Sequence, residues 1–217
     1  MTLDTSVSTL FPALQSYADS LPEEFSTISA ERKETLTLLV NFIVENTKAS
    51  QGVNLNFICT HNSRRSQFGQ VWARVAAAYY GISGIQTFSG GTEATAFNYR
   101  AVESLKHTGF QITDDQHATN PLYSVRYSEK EPVLQMFSKV YDDKANPESN
   151  FAAIMVCGQA DEACPFIPGA DKRISLPYTD PKNGDGTAQE AQGYNAASRL
   201  IAKELFWVFA EVKAQLA

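Results

Sequence analysis

Apolar residues change their spacing along the chain, and the changes mark out its parts. Leu10, Phe11, Leu14 and Tyr17 share one helical face, and Leu36, Leu39, Val40, Ile43 and Val44 form a stronger helical stripe. Between the two, Ser20-Leu21-Pro22-Glu23 reads as a helix start with proline in its first turn. Residues 1–50 are therefore expected to be a helical extension packed against the core or a partner. Past Gly52 the spacing shortens: Val53, Leu55, Phe57 and Ile58 lie in a β-rich run that delivers Cys59. A polar loop follows, Thr60-His61-Asn62-Ser63-Arg64, and then Arg65. From Ser66 to about Tyr80 helical spacing returns (Phe68, Val71, Trp72, Val75, Tyr79), closed by Gly81. Ile85 to Ser89 reads as a second strand broken by Gly90-Gly91, and Asn98 to His107 as a helix ended at Gly109.

The next stretch, an insert near 120–150, is less regular. Leu122 to Tyr127 and Val133 to Tyr141 are expected as two strands around a turn at Ser128-Glu129-Lys130-Glu131, with a short helix as the alternative for the second run. Phe151 to Val156 is almost wholly apolar, as in a central parallel strand buried on both faces, and it ends at Cys157. Lys172 to Leu176 is a fourth strand. Thr187 with Glu190 forms a capping-box pattern ahead of a long C-terminal helix carrying Leu200, Ile201, Leu205, Val208 and Val212. The sum is an α/β fold: a small four-stranded parallel sheet with helices on both faces, over residues 51–217. In such sheets ligands sit outside the carboxyl ends of the strands. Cys59, Cys157 and the loop Tyr178-Thr179-Asp180-Pro181 all follow expected strands, so they are predicted to converge on one edge.

A short loop between strand and helix turns its backbone N–H groups inward and cradles an anion. That field, with Arg65 beside it, favours a thiolate at Cys59, a nucleophile aimed at phosphorus or arsenic. An arginine at a helix start is anomalous on dipole grounds unless an anion sits there. The competing reading of Cys59 is a small buried hydrophobe, against which the polar loop weighs. Asn62 suits a left-handed loop position, and Ser66 is placed to donate to the thiolate. Asp180 is a candidate proton donor across the pocket, with Asp185 as the lesser alternative and an ordinary turn aspartate as the bland one. Cys157 and Cys164 are either unrelated thiols or a redox pair that closes if the segment between them unwinds. As metal ligands they lack partners nearby, so no metal site is expected. His61 either tunes Cys59 or is a solvated loop residue, His107 and His117 read as surface residues, and Arg64 is solvated or at the rim.

Composition narrows the partners. A net charge of −6 argues against nucleic acid held by bulk electrostatics, but a cradle and one arginine act locally on a small oxyanion. Three cysteines in a chain of 217 residues are not a secreted disulfide framework. The N-terminus MTLDTSVSTLFPAL lacks a basic start and a long apolar core, and no apolar run approaches membrane length. A soluble protein of the reducing cytoplasm, without a membrane, is expected.

The stretches CTHNSRRSQ, SGGTEATAFNYRAVESLKHTGFQI, VCGQADEACPFIPGA and LPYTDPKNGDGT together resemble the low-molecular-weight protein tyrosine phosphatase superfamily, most closely its thioredoxin-coupled arsenate reductases. The resemblance spans roughly residues 53–215 and rests on C-x5-R-S followed by an Asp-Pro loop. It implies Cys59 as nucleophile, Arg65 as oxyanion clamp, Asp180 as general acid, and Thr60, His61, Asn62, Ser63, Arg64, Arg65 and Ser66 as the oxyanion-binding loop. The pair Cys157 and Cys164, absent from plain phosphatases, implies a three-cysteine relay that reduces arsenate to arsenite, with no bound cofactor and an external thiol reductant, thioredoxin. Two alternatives stand beside it: a phosphatase hydrolysing phosphotyrosine-type esters through a phosphocysteine, and a silent phosphate-binding or redox-sensing module. His61 and Arg64 depart from the family, which often has Gly and Cys there. The helical extension and the insert have no counterpart in its minimal members.

Overall fold

The computed structural model describes residues 10–115 and 119–217; His117 and residues 1–9 lie outside them. The first helices of the described residues are α1 (Pro12–Ser20) and α2 (Ala30–Lys48), joined by a 3-10 turn at Pro22–Thr27. Pro22 thus starts the 3-10 turn, not the second helix. Helix α2 begins at Ala30, because Ser29 is extended and its hydroxyl accepts from Arg32 N at 3.2 Å. The buried sides of both helices (Leu14, Ala18, Leu36, Leu39, Val40, Ile43) join the same apolar core as the sheet.

Strand β1 (Val53–Cys59) and helix α3 (Arg65–Tyr79) flank the loop, and Gly81, at φ +65°, turns the chain out of the helix. Strand β2 (Ile85–Gly91) runs through the glycine pair rather than stopping at it. The glycines are there for space: a Cβ on Gly90 would stand 2.3 Å from Tyr141 Cα, and one on Gly91 2.6 Å from Thr60 O and 2.8 Å from Asn62 N. Next come α4 (Tyr99–His107), which Asn98 caps by accepting from Arg100 N, and β3 (Gln111–Asp114). Then β4 (Tyr123–Arg126) and β5 (Leu134–Met136) pair antiparallel with β3 in the order β3-β4-β5. This small sheet is the main departure from expectation. The strand β3 carries no apolar alternation and is held by pairing, and β5 covers three residues of the run Val133 to Tyr141, whose remainder bonds elsewhere.

The chain then returns to the main sheet with β6 (Phe151–Met155), every residue of which is buried. After it come α5 (Gly158–Ala163), β7 (Ala170–Ser175), a 3-10 turn at Pro181–Gly184, and the long α6 (Glu190–Leu216). The main sheet is the parallel four-stranded one expected, in the order β2-β1-β6-β7. The capping box before α6 does not form. Thr187 Oγ1 instead donates to Gly184 O, while Glu190 accepts from Gly186 N and pairs with Arg100, so the helix starts three residues after Thr187. Among the described residues no helix is long and apolar enough to cross a membrane.

Candidate active site

The register of the central strands places the chemistry. Ile58 of β1 lies opposite Met155 of β6, so Cys59 and Cys157 leave neighbouring strands at the same end. The loop from Thr60 to Arg64 is bent by Asn62, whose φ is +46°. Its carbonyls are engaged by donors from outside or from the following helix. Thr60 O accepts from Glu93 N, His61 O from the Ser138 and Thr95 hydroxyls, Asn62 O from Gln67 Nε2, and Ser63 O from Asn98 N. Among the described residues, no backbone N–H from His61 to Arg65 donates to a protein acceptor. The loop thus leaves these donors without a protein acceptor at the start of α3, as an anion cradle requires.

Asn62 is the hub of this loop. Fully buried, it donates from Nδ2 to Ser66 Oγ at 2.9 Å, and its Oδ1 accepts from Lys139 N at 2.9 Å and Gln67 Nε2 at 3.2 Å. Cys59 Sγ lies 3.1 Å from the same Ser66 hydroxyl, within its hydrogen-bonding reach. Cys59 itself is 4% exposed, more enclosed than the partly open setting expected of a reactive thiol. The irregular end of the insert supplies the outer support through Ser138 and Lys139. Sequence reasoning missed both, since nothing local marks them as partners of a loop 77 residues away. Lys139 is 4% exposed, and burial lowers its pKa to about 8.

Arg65 and Asp180 meet across the loop. Arg65 Nη2 donates to Asp180 Oδ2 at 2.7 Å and Nη1 to Tyr178 O at 2.9 Å, while Asp180 Oδ1 accepts from Lys182 N at 3.0 Å. Cys59, His61, Ser63, Arg64, Arg65 and Asp180 line a cup of about 10 Å³. A groove of about 460 Å³ adjoins it, lined by Arg65, Cys157, Gly158, Gln159, Glu162, Asp180, Lys182 and Asn183. Arg65 and Asp180 line both, so their ion pair is the partition between them.

Cys157 is 1% exposed; its Sγ is 3.4 Å from Thr60 Oγ1, on the residue after Cys59, and accepts from Ala160 N as the cap of α5. Cys164 closes the same helix and is half-buried. All three cysteines are free. Seven residues of helical rise separate Cys157 and Cys164 by roughly 10 Å, beyond the Cα reach of a disulfide, about 7 Å. Of α5, Ala160 alone is buried, and Arg173 pins the helix from β7 by donating to Cys164 O, Asp161 O and the Asp161 carboxylate.

The remaining sequence candidates lie around the rim. Arg64 is not free in solvent: Nε donates to Tyr194 Oη at 2.9 Å, and Asp185 accepts from the same phenol. Asp185 is thereby tied to Tyr194 and lines neither the cup nor the groove. His61 Nε2 lies 3.8 Å from Glu93, with nearly half its side chain exposed. His107, at the end of α4, lines a separate cavity of about 510 Å³ between α4 and α6. Among the described residues no group of three His, Cys, Asp or Glu side chains is placed to hold a metal.

No protein-family model matches the chain. An arsenate reductase of Halalkalibacterium halodurans is 28% identical over 134 residues, covering 62% of this chain and 78% of that protein. A crystal structure of a YwlE mutant from Bacillus subtilis matches with a TM-score of 0.50 at 16% identity, over 76% of this chain and 99% of that one. A low-molecular-weight phosphotyrosine phosphatase from Vibrio cholerae matches with a TM-score of 0.48 at 13% identity, over 73% of this chain and 95% of that one. The chain is thus similar in sequence to an arsenate reductase and in fold to the YwlE mutant, and the sequence likeness supports an enzyme with a cysteine nucleophile.

Proposed function

We infer that the protein reduces arsenate to arsenite through Cys59, Cys157 and Cys164. The observation that carries this reading is the second thiol: Cys157 stands beside the loop, in contact with the residue that follows Cys59, on the neighbouring strand. A hydrolase needs water at that step and has no use for a buried thiol there. The lining of the cup and groove fits too. No Phe, Tyr or Trp side chain contributes to either, and a small oxyanion needs only the N–H groups and Arg65.

In the first step Cys59 attacks arsenic(V), and hydroxide leaves as water with the proton of Asp180. For this the oxyanion must draw Arg65 away from Asp180, which both frees the carboxyl and opens the partition toward Cys157. The Cys157 thiolate then attacks Cys59 Sγ. A Cys59–Cys157 disulfide forms, the sulfur–arsenic bond breaks, and its electron pair leaves with arsenic, reduced to arsenite as As(III). Cys164 attacks Cys157 and releases the Cys59 thiolate. The resulting Cys157–Cys164 disulfide is reduced by an external dithiol, for which thioredoxin is the natural class. This last exchange requires α5 to unwind, and the exposure of that helix permits it.

The test compares arsenate and p-nitrophenyl phosphate on wild type, Cys59→Ser and Cys157→Ser, with thioredoxin and its reductase supplied. Arsenate turnover in the wild type, absent from both variants, supports the relay. Ester hydrolysis that survives in Cys157→Ser, without arsenate turnover in any form, replaces it with a phosphatase.

A further inference from the structure

The loop that carries Asp180 has no ladder or helix of its own. Residues 176–180 are irregular, and two backbone hydrogen bonds to β6 and the residue after it tie them down, Leu176 N to Met155 O and Tyr178 N to Val156 O. Its conformation is set by side chains on both sides. From the oxyanion loop, Arg65 grips Tyr178 O and the Asp180 carboxylate. From the opposite side, Arg32 of α2 donates to Pro177 O at 3.3 Å and lays its guanidinium 4.7 Å from the centre of the Tyr178 ring. Arg32 is itself fixed: Nε donates to both carboxylate oxygens of Glu204 on α6 at 3.0 Å, and Glu204 is 4% exposed. Burial, reinforced by the Glu204 charge, holds the Tyr178 phenol well above its ordinary pKa, so the ring under Arg32 is neutral.

The two grips are not equivalent once substrate arrives. An oxyanion in the cradle competes with Asp180 for Arg65, and Arg32 is then the charged group left holding the Pro177–Tyr178 pair. The geometry points to Arg32 as a positioning residue for Asp180, and so to a part for the N-terminal helices in catalysis: they brace the acid loop from behind while the substrate draws Arg65 away. This rests on the reading of Asp180 as general acid.

The experiment measures kcat and KM for arsenate with a dithiol reductant, and for p-nitrophenyl phosphate in parallel, on the full chain. Arg32→Met strands the buried Glu204 carboxylate and risks the fold. The pair Arg32→Met with Glu204→Leu removes both charges and leaves an apolar contact of similar size. Each is made with Asp180 and with Asp180→Asn, and thermal melting checks folding. The brace predicts a kcat lower by about tenfold or more, from a small displacement of the acid, with KM within about twofold. It also predicts no further loss when the same changes are made on Asp180→Asn. Folded double variants with wild-type kcat overturn it, and so does an equal loss on the Asp180→Asn background, which would place the effect of Arg32 elsewhere. An unchanged kcat in Asp180→Asn alone is a different failure: the acid assignment falls, and the brace with it.

Discussion

Asn62 gives the sharpest stability test of the loop between β1 and α3. Replacing it with alanine removes three buried side-chain hydrogen bonds, but their costs differ. Ser66 keeps Cys59 as a partner, and Gln67 Nε2 still donates to Asn62 O and Phe137 O. Lys139 N loses its acceptor and is stranded in the interior, at about 1–3 kcal/mol. Alanine must also adopt the positive φ that asparagine tolerates, at about 1–2 kcal/mol. Asn62→Ala should therefore cost about 2–5 kcal/mol. Asn62→Gly, which loses the bonds but not the backbone freedom, should cost about 1 kcal/mol less. Urea unfolding followed by circular dichroism reads both as midpoint shifts; with m of about 2–3 kcal/mol/M, Asn62→Ala should lose roughly 1 M or more. Equal midpoints for the two variants would refute the backbone part of the reasoning, and a wild-type midpoint for Asn62→Ala would refute the whole.

Lys139→Met should stabilise the fold near neutral pH, because it removes an ammonium that burial disfavours. The folded pKa, about 8, lies below the unfolded value. Wild-type stability should therefore rise with pH between about 8 and 10, as the unfolded chain holds the extra proton. The variant should lack that rise in denaturant titrations across the range. Arg173→Gln should release α5: losing a half-exposed ion pair worth about 1 kcal/mol makes the Cys157–Cys164 disulfide roughly fivefold more favourable, read in a dithiothreitol redox titration. Ser66→Ala should strand the buried Asn62 Nδ2 donor, at about 1–3 kcal/mol of stability read by thermal melting, and lower kcat/KM for arsenate about tenfold or more, since a hydrogen bond to a charged partner contributes about 1.5–3 kcal/mol.

What was legible in the sequence was what local pattern controls. The switch from alternation to helical spacing around a polar loop located Cys59 and Arg65 and the main parallel sheet. The strands ending at Cys157 and near Asp180 placed those residues on the same edge. Non-local effects were not legible. The pair Gly90-Gly91 reads as a breaker, yet the strand passes through it, because the residues answer to Tyr141 and to Thr60 and Asn62 packed against them. Strand β3 alternates between exposed and half-buried positions and owes its form to β4. The Thr187–Glu190 pattern lost its capping role to Arg100 and Gly186, which claim the Glu190 carboxylate. Nothing in the local pattern singles out Arg32, because its partner Glu204 lies 172 residues away.

Whether the second step uses a thiol or water is decided by a single turnover without reductant. Reduced enzyme is mixed with excess arsenate, arsenite is counted, and the disulfides are mapped by mass spectrometry after alkylation. The relay predicts one arsenite per enzyme, a Cys157–Cys164 disulfide and a Cys59 that alkylates freely. In Cys164→Ser it predicts a trapped Cys59–Cys157 disulfide. No arsenite, with all three thiols still free, would contradict it.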